Sequence, residues 1–125
     1  IIRKAYDQGI ILSGVSAGAI CWFEQGLTDS VPNQLRTLNC LGFLKGSNCP
    51  HFDGEPQRQP VYRQEIKSGR MKDGIACDDG VALHFVDEQL IKVISSQENK
   101  KAIRFEMKDS LTENVLIPEL LFTAP

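Results

Sequence analysis

The chain has 125 residues, of which 42% are hydrophobic and 24% are charged, a mixture typical of a globular domain with a buried core. Its net charge of −2 and its pI near 5.7 provide no basic surface for nucleic acid or for an anionic membrane, and no apolar run approaches the roughly 20 residues that span a bilayer. The composition therefore favours a small-molecule partner over nucleic acid or a membrane, and it leaves open whether the chain forms a homo-oligomer.

The chain has four cysteines, which form no CxxC pair, and only two histidines. Structural zinc sites use closely spaced Cys and His ligands, so the sequence predicts no metal, and we expect no cofactor. No secretory h-region opens the sequence, and a chain of this size does not need disulfides as staples. We therefore predict reduced thiols and a cytoplasmic location. The cysteines are Cys21, Cys40, Cys49 and Cys77.

Hydrophobic periodicity and turn residues divide the first half of the chain into short elements. Gly9 and Gly26 are predicted to end two helices, and Pro32 with its polar neighbours indicates a loop. Pro60 is compatible with the first turn of a later helix. The predicted elements are a helix over residues 1–8, a buried strand over 10–13, a helix over 17–25, a loop over 27–39 and a helix over 57–69.

The second half consists of short β-rich runs separated by polar turns. Asp79-Gly80 is a hairpin signal. Helix, strand and helix thus come first and strand pairs come later, which predicts an α/β fold whose parallel sheet ends in antiparallel edge strands. The predicted strands cover residues 75–77, 81–86, 90–94 and 102–107.

The segment Gly14-Val15-Ser16-Ala17-Gly18 matches the G-x-S-x-G pattern and lies between a predicted strand and a predicted helix. Glycines permit the tight turn that exposes a serine hydroxyl at the carboxyl end of a sheet. The start of the helix offers a free backbone N–H, that of Ala17, to a developing oxyanion. The pattern predicts Ser16 as a nucleophile; the alternative is a Gly-rich connection in which Ser16 only caps the helix.

Together, the segments Gly14-Val15-Ser16-Ala17-Gly18-Ala19 and Cys49-Pro50-His51-Phe52 resemble the dipeptidase E (aspartyl dipeptidase) and cyanophycinase family of serine peptidases. In that family the serine of S-A-G-A is the nucleophile and the histidine of P-H-F is the base, which implies these roles for Ser16 and His51. The resemblance lies mainly in residues 10–65. It also implies a fold like that of the class I glutamine amidotransferases, with helices on both faces of a mostly parallel sheet. Those enzymes have cysteine where Ser16 stands, which argues against a glutaminase.

The chain does not begin with Met, and its opening residues read as the middle of a helix. We therefore expect it to be the C-terminal part of a larger domain whose N-terminal part also holds functional residues. Within residues 1–125 we predict a single domain, incomplete at its N-terminus. It contains the nucleophile turn over 10–25, the histidine loop over 45–56 and the C-terminal strands over 74–117.

A serine hydroxyl needs a neighbouring base, and imidazole, with an unperturbed pKa of roughly 6.5, suits that task near neutral pH. The chain offers only His51 and His84. His84 lies in an alternating, strand-like pattern, whereas His51 follows a proline at the end of an extended segment, where loops meet at a sheet edge. His51 is therefore the predicted base.

The imidazole in turn needs a carboxylate that fixes its tautomer. The resemblance favours Asp29, in the predicted loop after the nucleophile helix. Glu24, near the end of that helix, is one alternative, and Asp79 is another, although its place beside Gly80 favours a turn residue. Asp53 and Glu55 are interpreted as solvated loop residues or as contacts to a substrate amine.

The resemblance implies short peptides as substrates, in some members peptides with an N-terminal aspartate. An acidic side chain needs an Arg or Lys partner, and Arg58 and Arg63 follow His51 on a predicted helix, although arginines on a helix are usually solvated. We expect a serine peptidase that acts through an acyl-enzyme, with Arg58 and Glu55 as candidate substrate contacts. The alternatives are a related esterase or amidase, and a non-catalytic binding domain of the same fold.

Overall fold

The computed structural model describes residues 1–121, which form an α/β structure. No helix within that range is long and apolar enough to cross a membrane. The helices are α1 (Ile2–Asp7), α2 (Ala17–Ile20) and α3 (Arg58–Lys67). The strands are β1 (Phe23–Val31), β2 (Gln34–Asn39), β3 (Leu44–Cys49), β4 (Gly74–Cys77), β5 (Val81–Val86), β6 (Gln89–Ser95), β7 (Ala102–Met107), β8 (Leu111–Leu116) and β9 (Glu119–Leu120).

The main sheet of the described residues has six strands in the order β2-β1-β3-β4-β7-β8. Strands β1, β3 and β4 run parallel, while β2, β7 and β8 join antiparallel to their neighbours. The α/β class and the antiparallel C-terminal strands are as predicted. The sheet is mixed rather than mostly parallel. Within residues 1–121, only the connection between β3 and β4 contains a helix, α3, that carries the chain back to start a parallel strand, whereas β1–β2 and β7–β8 are tight hairpins.

A smaller sheet, in the order β5-β6-β9, covers one face of the main sheet. Successive side chains of β4 point to opposite faces of the main sheet, so neighbouring residues pack against different layers. Ile75 and Cys77 pack with apolar residues of β5 and β6, and Ala76 packs in the cluster around Tyr62 of α3. The main sheet is therefore buried on both faces, by a helix on one side and by a small sheet on the other.

The prediction of a helix over residues 17–25 was wrong for the second half of that range. Helix α2 ends at Ile20, and the chain enters β1 at Phe23. Residues 27–39, predicted as a loop, complete β1 and form β2. Pro32 and Asn33 are the turn of this hairpin, and Asn33 takes a positive φ of 60°, a conformation that Asn tolerates better than most residues. The burial of Leu27 and the pairing with β2 and β3 outweigh local helix propensity here.

The apolar segment over residues 10–13 is not the predicted buried strand in the described part of the chain, where it joins neither sheet. Ile10 is 53% exposed and Ile11 is 90% exposed. A strand needs a neighbouring strand to pair its backbone N–H and C=O groups, and no strand within residues 1–121 pairs with this segment. The N–H of Ile10 donates instead to the carbonyl of Ala5, at 3.1 Å.

Asp79-Gly80 turns the chain from β4 in the main sheet to β5 in the small sheet, so it does not form the predicted hairpin. The hairpin of this region joins β5 and β6 through Asp87 and Glu88, which both take positive φ. Two consecutive positive φ values are the signature of a type I′ turn. The sequence signal at Asp79-Gly80 thus marks a true turn between two layers.

All four cysteines are free thiols, and Cys49 and Cys77 lie buried at the ends of the neighbouring strands β3 and β4. Desolvation raises the pKa of each of these two thiols to about 12, from an ordinary value of 9.0. At a pH between 9.0 and about 12, the unfolded chain therefore loses protons from these two thiols that the folded chain keeps. The free energy of unfolding therefore falls as the pH rises through this window.

We expect the urea midpoint of the protein to fall between about pH 8 and pH 10 because of this proton release. The double variant Cys49→Ala/Cys77→Ala, although less stable, should show a smaller fall over the same range. In the folded protein at about pH 8, a thiol reagent should modify Cys21 and Cys40, which are partly exposed, much faster than the buried pair. Equal rates at all four thiols would contradict the burial of Cys49 and Cys77.

Candidate active site

Ser16 lies on a strained turn immediately before α2. Its φ of 54° and ψ of −118° are a sparsely populated combination for a residue with a side chain, at a cost of about 1–3 kcal/mol. Gly14 makes the turn possible, since a Cβ at that position would overlap the carbonyl oxygen of Gly18. A Cβ on Gly18 would meet nothing within 4 Å, so only the first glycine of G-x-S-x-G is required by contact.

His51 lies two residues beyond the end of β3 and also has a positive φ, 55°. Its carbonyl oxygen accepts the N–H of Glu55 at 2.9 Å, and the N–H of the next residue, Phe52, donates to the carbonyl of Cys77 at 3.0 Å. The first bond closes the loop on itself, and the second fixes the loop to β4. The imidazole Nε2 then lies 2.9 Å from Ser16 Oγ, within hydrogen-bond distance.

Asp79 contacts the other imidazole nitrogen, with Oδ1 2.6 Å from His51 Nδ1. An ionised carboxylate only accepts hydrogen bonds, so Nδ1 carries the proton that it donates to Asp79. In the neutral imidazole Nε2 is then unprotonated and accepts the hydroxyl proton of Ser16. The three side chains form a continuous hydrogen-bonded series in the order that serine hydrolases use.

Parallel strands explain why these residues meet. His51 follows the last residue of β3 by two positions, and Asp79 follows the last residue of β4 by two positions. Strands β3 and β4 are parallel neighbours in register Cys49↔Ala76, so their carboxyl ends open at the same edge of the sheet. This equal offset was the sequence signal that favours Asp79, which was predicted only as an alternative acid behind Asp29.

Asp29 was expected to orient the imidazole, but the structure places Asp79 on His51 and Asp29 elsewhere. Asp29 lies within β1 rather than in a loop, is 67% exposed, and its nearest cation is Arg58, at 3.6 Å. The alternative Glu24 pairs with Lys72 at 2.8 Å and accepts the N–H of Gly46. Bonds from Lys72 and Gly46 lower the pKa of Glu24, and neither bond involves the imidazole.

Arg58 is not placed to contact a substrate, because its side chain is only 3% exposed. Its Nε donates to Glu55 at 2.5 Å and its Nη1 donates to the carbonyl of Leu27 at 3.1 Å. The guanidinium therefore joins the start of α3 to β1 and engages Glu55. Arg63 forms a two-bond pair with Glu113 of β8, at 2.8 and 2.9 Å, so both predicted arginines have partners within the protein.

His84, the other histidine, lies on β5 opposite Lys92 of β6, so it is a strand residue, as its alternating pattern predicted.

Ala17 is the first residue of α2, a position where a backbone N–H has no partner inside the helix. Because α2 has only four residues, its dipole adds less at Ser16 than a helix over residues 17–25 would have done.

A serine, a histidine and an aspartate in this order, at the carboxyl edge of an α/β sheet, have the geometry of serine hydrolases. Comparison with known proteins then gives the family: residues 1–93 match the model of peptidase family S51. The chain belongs to that family. It is also similar to a protein of Bacillus subtilis (strain 168) named uncharacterized peptidase YgaJ, with 47% identity over 118 residues. The match covers 94% of this chain and 51% of that relative, so the chain spans about half the relative's length.

Proposed function

We propose that the intact protein is a serine-type peptidase that hydrolyses short peptides, as dipeptidase E does, with Ser16 as nucleophile, His51 as base and Asp79 as orienting acid. The observation that carries the proposal is the series Ser16 Oγ to His51 Nε2 at 2.9 Å and His51 Nδ1 to Asp79 Oδ1 at 2.6 Å. Membership of peptidase family S51 supports the peptide bond as the one cleaved. The family resemblance also supports, for the intact protein, a fold like that of the class I glutamine amidotransferases.

In the proposed reaction, Ser16 Oγ attacks the carbonyl carbon of the peptide while its proton moves to His51 Nε2. Collapse of the tetrahedral intermediate breaks the C–N bond, and the same proton passes to the leaving amine. Water then attacks the ester carbonyl of the acyl-enzyme, giving its proton to His51, which returns a proton to Ser16 as the acid leaves. Asp79 stabilises the imidazolium formed in each half of the cycle.

The backbone N–H of Ala17 is the proposed oxyanion donor. It follows the nucleophile directly, which is the usual place for one of the two donors on a serine turn. Because an N–H at the start of a helix lacks an internal partner, it is free to bind the negative oxygen.

A panel of dipeptides and matched amino acid esters, varied at the N-terminal residue, tests the proposal with the intact protein. We expect hydrolysis of dipeptide amide bonds and loss of that activity in Ser16→Ala. Cleavage of the esters alone would support an esterase instead. Cleavage of neither class would support a non-catalytic domain and contradict the proposal.

A further inference from the structure

A second carboxylate, Asp53, lies against the backbone of Asp79. Its Oδ1 accepts the N–H of Asp79 at 2.8 Å, and its Oδ2 forms an ion pair with Lys100 Nζ. Desolvation raises the pKa of Asp53, but the bonds from Lys100 and from the Asp79 N–H outweigh it and leave the pKa below its ordinary value. Asp53 is therefore a carboxylate at neutral pH and keeps Lys100 beside it.

Asp79 needs external support because its side chain is 46% exposed and it lies on a turn before Gly80. Within residues 1–121, the hydrogen-bond partner of the Asp79 carboxylate is His51. An exposed side chain has several accessible rotamers, and an orienting acid is effective only in the one that reaches the imidazole. The hydrogen bond that the Asp79 N–H donates to Asp53 fixes the backbone position from which the Asp79 side chain extends.

Gly54 limits the carboxylate from another side. A Cβ at this position would overlap Asp79 Oδ2, so the bare backbone of Gly54 leaves the space that the carboxylate occupies. Since the overlapping atom is the end of a side chain rather than backbone, an added methyl group displaces the Asp79 carboxylate more easily than it disturbs the fold.

The segment that carries Lys100 is itself tied to the segment that carries Asp79. The N–H of Lys101 donates to Asp78 Oδ2 at 3.0 Å, and the N–H of Asp78 donates to the carbonyl of Lys101 at 3.1 Å. Asp78 is 7% exposed, so these bonds are shielded from water. The backbone beside Lys100 is thereby fixed next to the turn that carries Asp79, and from this position the ammonium of Lys100 reaches Asp53.

We propose that Asp53 and Lys100 are positioning residues that, together with the space left by Gly54, hold the Asp79 carboxylate on His51. This inference rests on the proposed function, since Asp79 orients a base only if His51 acts as one. Lys100 comes from the connection between β6 and β7, which follows the residues that match the family model. No residue of this set touches the substrate in the proposal.

The first test measures dipeptide hydrolysis by the intact protein carrying Lys100→Met or Gly54→Ala. Each change should lower kcat by roughly ten- to a hundredfold, the effect of a small misplacement of a catalytic group, with KM changed less than about threefold. Lys100→Arg, which keeps the charge, should recover most of the loss. Lys92→Met removes a lysine from an exposed pair with Glu119 at 3.4 Å and should match the wild type. Wild-type kcat in Lys100→Met and Gly54→Ala would overturn the proposal.

The second test does not depend on activity. The proton on His51 Nδ1, held by a carboxylate at 2.6 Å, should give a far-downfield resonance in the proton NMR spectrum. We expect this resonance to disappear in Asp79→Asn and to weaken or broaden in Lys100→Met and Gly54→Ala, at unchanged thermal stability. An unchanged resonance in both variants would overturn the positioning role. If the wild type shows the resonance and its dependence on Lys100 but hydrolyses no peptide, the proposed function fails, whereas the part of the inference that concerns the position of the Asp79 carboxylate is supported.

Discussion

Replacing Ser16 by Ala is expected to lower kcat for peptide hydrolysis by about 10⁶-fold, the loss found when an activated serine is removed from a triad. The hydroxyl is the only group lost, and it is the atom 2.9 Å from His51 Nε2. Steady-state kinetics on a dipeptide substrate measure the effect, and thermal unfolding checks the fold. We expect little change in Tm, because alanine adopts the same strained turn and leaves no cavity in the core.

Ser13→Ala is the matched control, since Ser13 is an exposed serine three residues earlier in the same segment. It should keep wild-type kcat and KM. A Ser16→Ala protein that retains more than about a hundredth of the wild-type kcat would exclude Ser16 as the nucleophile.

Asp79→Asn is expected to lower kcat by about 10⁴-fold, because an asparagine amide can donate to Nδ1 and so favours the tautomer whose Nε2 carries the proton. That tautomer cannot accept the proton of Ser16. Asp29→Asn should change kcat by less than about threefold, since Asp29 is 67% exposed and its nearest cation is a buried arginine 3.6 Å away. The two variants make the same chemical change at two candidate acids, and kinetics on one substrate compare them directly.

A large loss in Asp29→Asn together with a small loss in Asp79→Asn would reverse the assignment of the acid. Both proteins should unfold at nearly the wild-type temperature, because neither carboxylate lies in the core. A Tm drop in either variant would point to a structural role for that carboxylate.

Local signals in the sequence predicted several elements well. Gly9, with its positive φ, follows the first helix, and the helix predicted over residues 57–69 is α3 with Pro60 in its first turn. The strand runs in the second half correspond to β4 through β7. These elements are set by residues close together in the chain, which is why periodicity and turn residues could predict them.

The errors arise where distant contacts decide the structure. The apolar stretch after Ser16 satisfies a helix pattern, but from Phe23 onward it gains more by pairing with β2 and β3. The acid was misplaced for a related reason: Asp29 is near Ser16 in sequence, whereas Asp79 reaches His51 because β3 and β4 are parallel neighbours. Arg58 was predicted as a candidate substrate contact, yet its side chain is buried and bonds to Leu27 and Glu55. Strand order, which none of these local patterns encodes, determines the first two outcomes, and a contact between α3 and β1 determines the third.

Reaction of the intact protein with a fluorophosphonate, followed by mass mapping of the adduct, tests the central claim most directly. An activated serine reacts quickly with this electrophile and an ordinary serine does not. We predict one adduct per chain, located on Ser16, with labelling lost in Ser16→Ala and slowed strongly in Asp79→Asn. An unlabelled protein, or an adduct on a residue other than Ser16, would contradict the assignment of Ser16, His51 and Asp79 as a hydrolytic site.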